Sequence, residues 1–205
     1  MAVWIGSARI NENGELEGGI PGDQTGQECM IEEWYLHNKG WYVIRPIDQA
    51  KAALIAQDMI YLCNNENIGY SYWNNSNTLY LAAQPFNFDC SMVNTPCDTN
   101  CSRGVRVCCL YAGYNIPDFY TGDEVSVFAN TGEFMILTQS IYCDRPDNLQ
   151  VGDILVTRTQ GHTVVVVSID GQPPTPPEPY SRRRRCTVSR NCVVCGLCVY
   201  GIRQR

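Results

Sequence analysis

Cys101 and His162 are the two residues whose types and surroundings suit nucleophilic chemistry. Cys101 stands in Thr95-Pro-Cys-Asp-Thr-Asn-Cys-Ser-Arg-Gly-Val105, where an Asn-rich loop gives way to apolar residues at helical spacing. A thiol in the first turn of a helix feels unpaired N–H groups and the positive end of the macrodipole, which favour thiolate. A nucleophilic cysteine needs that lowered pKa and a nearby imidazole. The chain offers 2 histidines. His162 follows Gly161 and opens a β-branched run, so its ring is expected at the mouth of a strand, facing a cleft. His37, in Tyr35-Leu-His-Asn-Lys39, reads as a surface or structural residue. The other cysteines of the body are poorer nucleophiles by position. Cys108 and Cys109 fall mid-helix, Cys63 ends a helix, and Cys29, Cys90, Cys97 and Cys143 lie in loops. Most of them read as small buried apolar residues.

The elements that must hold these two side chains follow from periodicity. Pro46 and Asp48 mark a helix start, and Ala52, Ile55, Met59 and Leu62 form one stripe that ends at Asn64-Asn65. Residues 64–100 read as loop, rich in Asn and interrupted by Pro85 and Pro96. A second helix is predicted from Asn100 to about Ala112. Cys101, Val105, Cys108 and Ala112 share its buried face, and Gly113 caps it. A third short helix and a turn fall within 117–135. Gly152 to Thr157 and His162 to Ile169 read as strand, turn and strand, closed by Asp170-Gly171. Upstream, Met30-Ile31, Trp34-Tyr35 and Trp41 to Ile44 are short extended pieces between glycine-punctuated loops, one of them Gly22 to Glu28.

Composition excludes several classes. Of the 205 residues, 44% are apolar and 18% charged, enough to bury a core. No apolar run approaches the ~20 residues of a membrane span. The first residues lack the basic start and long apolar centre of a secretory signal, so synthesis as a soluble cytoplasmic chain is expected. Residues 181–205 carry seven Arg and no acid, which leaves 8 basic against 21 acidic residues in 1–180. An acidic body does not suit nonspecific nucleic-acid binding; only the tail could hold a polyanion. Five prolines between 173 and 179 read as a stiff linker. Beyond it, Cys186, Cys192, Cys195 and Cys198 are spaced C-x5-C-x2-C-x2-C, which leaves zinc, disulfides or an unstructured tail all open.

The sequence resembles the cysteine peptidases of the NlpC/P60 superfamily, as found in bacteriophage endolysins. The likeness lies in Asn100-Cys101-Ser102, then Leu149-Gln-Val-Gly-Asp-Ile-Leu-Val156, then Gly161-His162, with 61 residues from cysteine to histidine. Asn67-Ile-Gly-Tyr70 resembles the family's substrate-side tyrosine segment, and Ser7 to Gly14 with Gly22 to Gly26 is similar to endolysins carrying this domain. Arg103 and Asn100 depart from the family's usual glycine and aspartate. The resemblance implies an α+β, papain-like fold, with the nucleophile at the N-terminus of a helix packed on an antiparallel sheet that carries the histidine. The likeness covers roughly residues 5–170 and implies a catalytic domain over 1–172; composition alone marks a linker over 173–180 and a basic, cysteine-rich tail over 181–205.

By that resemblance, Cys101 and His162 hydrolyse an amide bond of the peptidoglycan stem peptide. The nearest candidates for a third catalytic residue are Asp170 and Gln172. Tyr70, Asp23 and Gln24 would bind substrate. No metal or cofactor is expected. The protein would be a monomer, made in the host cytoplasm and acting on the wall after release, its tail free to bind anionic wall polymers. Three classes of function stay in view. They are an endopeptidase or N-acetylmuramoyl-L-alanine amidase, a catalytically impaired wall-binding module on the same fold, and a small metal- or nucleic-acid-binding protein.

Overall fold

The structure is a computed structural model that describes residues 2–176 apart from 74. Three strands come first: β1 (Trp4–Ala8), β2 (Cys29–Glu33) and β3 (Trp41–Pro46). Helix α1 (Gln49–Asn64) starts where its stripe predicts, with the Asp48 carboxylate accepting from the N–H groups of Ala50 and Lys51. Next come β4 (Ile68–Tyr70), α2 (Thr78–Ala83) and β5 (Cys97–Thr99). Helix α3 (Cys101–Tyr111) follows, then α4 (Glu124–Thr131), β6 (Phe134–Leu137) and α5 (Ser140–Cys143). The hairpin β7 (Ile154–Thr157) and β8 (Thr163–Ser168) ends the described fold.

The architecture is α+β. Six strands form an antiparallel sheet in the order β2-β1-β8-β7-β3-β6, and β4 and β5 pair in parallel beside it. Two expectations change. Residues 64–100 are not all loop, because β4, α2 and β5 build a platform that leads into Asn100. Trp34-Tyr35 falls outside the regular strands, and the N-terminal residues Trp4–Ala8, which carry no strand signal in the sequence reading, form β1 between β2 and β8. The tail and its four cysteines, with the linker beyond 176, lie outside the described residues.

The sheet separates two apolar cores. Val165 and Val167 of β8 pack with Ile55, Met59 and Leu62 of α1 and with Val105 and Cys108 of α3. Val164 and Val166 point the other way, against Ile5, Trp41, Val43 and Leu155. This is the alternation that a strand imposes, successive side chains leaving on opposite faces.

The Gly-Asp pair before β7 serves this packing. Gly152 has φ +87°, and a Cβ there would fall 2.2 Å from the Ala52 carbonyl of α1, so only glycine fits. Asp153 is buried and grips Arg45 of β3 through two bonds of 2.8 and 2.7 Å. The pair ties the hairpin to its neighbouring strand.

Candidate active site

Asn100 begins the site. Its backbone is extended, and its side-chain oxygen accepts from Arg103 N at 2.9 Å and from Ser102 Oγ at 3.1 Å. Its amide donates to the Tyr72 carbonyl at 3.1 Å, which anchors the helix start to the platform after β4. Cys101 is therefore the first residue of α3, as its sequence position predicts. A cleft of about 400 Å³ opens over it, lined by Tyr72, Trp73, Arg103, Tyr120 and Gly161. Trp73 is 68% exposed, whereas Cys101 is 9% exposed at the cleft floor.

The N–H groups of Thr163, Ser102 and Cys101 itself face the sulfur and favour its anion. Burial outweighs them, and with the Glu124 charge beside it the thiol is pushed up to about 12. This corrects the expectation of a thiol poised as thiolate. At neutral pH Cys101 carries its proton. Tyr70 lies near enough for the Cys101 charge to raise its phenol further, after burial has already raised it, so that hydroxyl stays neutral.

The structure does not bring His162 to Cys101. His162 precedes β8 and follows the face of Val164 and Val166. Its Nε2 lies 3.3 Å from Ser7 Oγ, and its ring centroid is 6.4 Å from that of Trp41. Thr163, one residue on, takes the α3 face instead. Burial, with lesser contributions from the His37 and Arg9 charges, lowers His162 to about 4, so the ring is neutral at pH 7. His37 sits in the same aromatic group, its ring 5.2 Å from Trp41, with Nδ1 accepting from Lys39 N at 3.0 Å.

The remaining expected residues have structural occupations. Asp170 accepts from Ser168 Oγ at 2.6 Å and from Gln172 N at 3.0 Å, closing the turn after β8. That turn and His162 lie at opposite ends of a six-residue strand, ~20 Å apart. Neither Asp170 nor Gln172 can orient the ring from there. Asp23 accepts from Thr25 N and Gly26 N, and Gln24 donates to the Gly22 carbonyl, so both fold the 22–28 loop upon itself. Neither lines the cleft. Arg103, standing where the resemblance leads one to expect glycine, turns its guanidinium to Ser76 and Asp118 along the cleft wall.

Comparison with known families follows this geometry. A family model described as the endolysin-like domain (ELLD) matches residues 5–173. The chain belongs to this family. No curated protein and no solved structure matches it. The endolysin-like span runs from β1 through β8 and so contains Cys101, the cleft and both faces of the sheet. Among the described residues, no helix is long and apolar enough to cross a membrane.

Two residues of this endolysin-like site escape sequence inspection. Thr163 hides within a β-branched run, and only its place opposite α3 gives it a role. Glu124 reads as an ordinary acid in a helix's first turn. In the structure it is fully buried and accepts from Thr163 Oγ1 at 2.7 Å.

Proposed function

We propose that this chain is a cell-wall hydrolase that uses Cys101 to cleave an amide bond of the peptidoglycan stem peptide. One observation carries the reading: a cysteine at the first residue of α3, on the floor of an open cleft, with three backbone N–H groups around its sulfur. Family membership supplies the substrate class. The papain-like NlpC/P60 arrangement is part of this proposal, supported by a helix-start cysteine packed on an antiparallel sheet. In the proposed reaction the sulfur attacks the amide carbonyl, the thiol proton passes to the amide nitrogen, and the C–N bond breaks to release the amine and leave a thioester on Cys101. The N–H groups at the helix start hold the developing oxyanion, and water then hydrolyses the thioester. Tyr70 stays neutral beside the sulfur and can donate a hydrogen bond. The exposed Trp73 and Tyr120 at the rim offer flat apolar surface to a wall strand.

A wall-binding module without catalysis is the second reading. The specific observation in its favour is the His162 ring, which is bonded to Ser7 and not to the thiol. Turbidity of a cell-wall suspension decides between them. Lysis by the wild type, abolished in Cys101→Ala, supports the hydrolase; cosedimentation with walls and no lysis supports the binding module. Mass spectrometry of released muropeptides then assigns the bond, between stem residues or between muramic acid and L-alanine.

A further inference from the structure

Glu124 opens α4, where an acid ordinarily meets water, yet its side chain is fully buried. Its Oε1 accepts from Thr163 Oγ1, while Oε2 meets no partner among the described residues. A buried carboxylate left half-unsatisfied is costly, and the group relieves that cost by keeping its proton. Thr163 links this acid to the cleft, because its backbone N–H faces the Cys101 sulfur while its hydroxyl holds Glu124. One residue of β8 thus bonds the acid through its hydroxyl and favours the sulfur anion through its N–H.

We propose that Glu124 is a positioning residue that governs, across Thr163, the ionisation of Cys101. As a neutral acid it adds no charge to the burial that already holds the thiol up. As an anion it opposes a second negative charge in the same dry pocket. The surroundings leave few other groups to do this. From α3, Cys101 and Cys109 feel the Glu124 charge; β8 presents Thr163; β6 presents Phe134 to Leu137, none ionisable. On its own element Asp123 adds a small repulsion, and burial with that charge raises Glu124 to about 8. The switch therefore operates in the mildly alkaline range, with the permissive state below it. The two form a coupled pair, so the profile belongs to both.

This inference rests on Cys101 being the nucleophile, but its test reads the thiol directly and needs no wall substrate. Alkylation of Cys101 by iodoacetamide is followed by peptide mass spectrometry from pH 6 to 10 in the full chain. In the wild type the rate should climb less steeply above about pH 8, where Glu124 ionises. Glu124→Gln should match the wild type at pH 6 and react about tenfold faster at pH 9, the effect of a like charge removed from close range. Thr163→Val removes the bond that favours the Glu124 anion, so the break in slope should move to higher pH. The same protein samples are assayed on walls, so loss of lysis with the alkylation pattern intact overturns only the hydrolase reading. Parallel profiles for the wild type and Glu124→Gln, or an unmoved break in Thr163→Val, overturn the role given to Glu124. Should Glu124→Gln fail to fold, the Thr163→Val break alone decides.

Discussion

His162 Nε2 and Ser7 Oγ lie 3.3 Å apart, on the face of the sheet that also carries Trp41. The contact joins adjacent strands, since β1 pairs directly with β8. Its consequence is that the imidazole supports the second core, its ring held by Ser7 and Trp41 on the face opposite α3. His162→Ala should therefore leave Cys101 alkylation at pH 7 within about twofold of wild type, because no imidazole–thiol pair is lost. It should reduce stability by about 1 kcal/mol or more through the lost hydrogen bond and packing. NMR titration of the rings should place the His162 midpoint near 4, with His37 also below its ordinary value. A tenfold fall in thiol reactivity in His162→Ala would mean that the ring does reach Cys101 in solution.

Stability should decline as the medium becomes alkaline. Burial raises Asp58 to about 7 and Glu124 to about 8 from ordinary values of 3.8 and 4.5. Each folded carboxyl keeps a proton that the unfolded chain releases, so its contribution is full at low pH and is lost as pH climbs to the folded value. His162 has the opposite sign: depressed from 6.5 to about 4, it costs stability at low pH and ceases to matter above 6.5. Between about 6.5 and 8 these two carboxyls make the largest change, and unfolding free energy should drop by on the order of 2 kcal/mol. Thermal melts in that window should show a falling Tm, flattened in Glu124→Gln. A Tm that holds steady or rises there would remove the basis for both buried acids.

Arg45 and Asp153 offer a sharper test of packing. The pair is buried and doubly bonded, and Arg45 also donates to the Asn148 carbonyl at 2.7 Å. Asp153→Ala strands a buried guanidinium, a loss of about 3–5 kcal/mol. Urea melts should record it as a lower midpoint with little change in slope. A loss below about 1 kcal/mol would show that water reaches Arg45.

Much of this molecule can be read from its sequence, and the boundary follows locality. The start of α1 at Asp48, the start of α3 at Asn100 and the β7–β8 hairpin are written in caps, stripes and turns a few residues long. Cys101 is legible for the same reason, since its character comes from the helix that follows it. The partner of Cys101 is not local. Alternation along β8 assigns His162 and Thr163 to opposite faces, and which face meets α3 is decided only when the sheet assembles. Glu124 is hidden for a related reason: its burial depends on β8, and its partner Thr163 lies 39 residues further along the chain. The Gly-Asp pair belongs to the stretch that carries the family resemblance. In the fold it is a close approach to α1 and an ion pair to β3.

Among the described residues the order of the six strands leaves the sheet open, and its two margins differ in character. On one side β2 ends in Glu32 and Glu33, so an approaching strand would meet carboxylates. On the other, β6 reads Phe-Met-Ile-Leu with Met135 43% exposed. Unpaired backbone beside apolar side chains invites the addition of another strand, whereas acidic side chains repel one. Self-association of this protein during expression or concentration should therefore begin at β6. A lysine placed at Met135 would give that margin the protection that β2 already has.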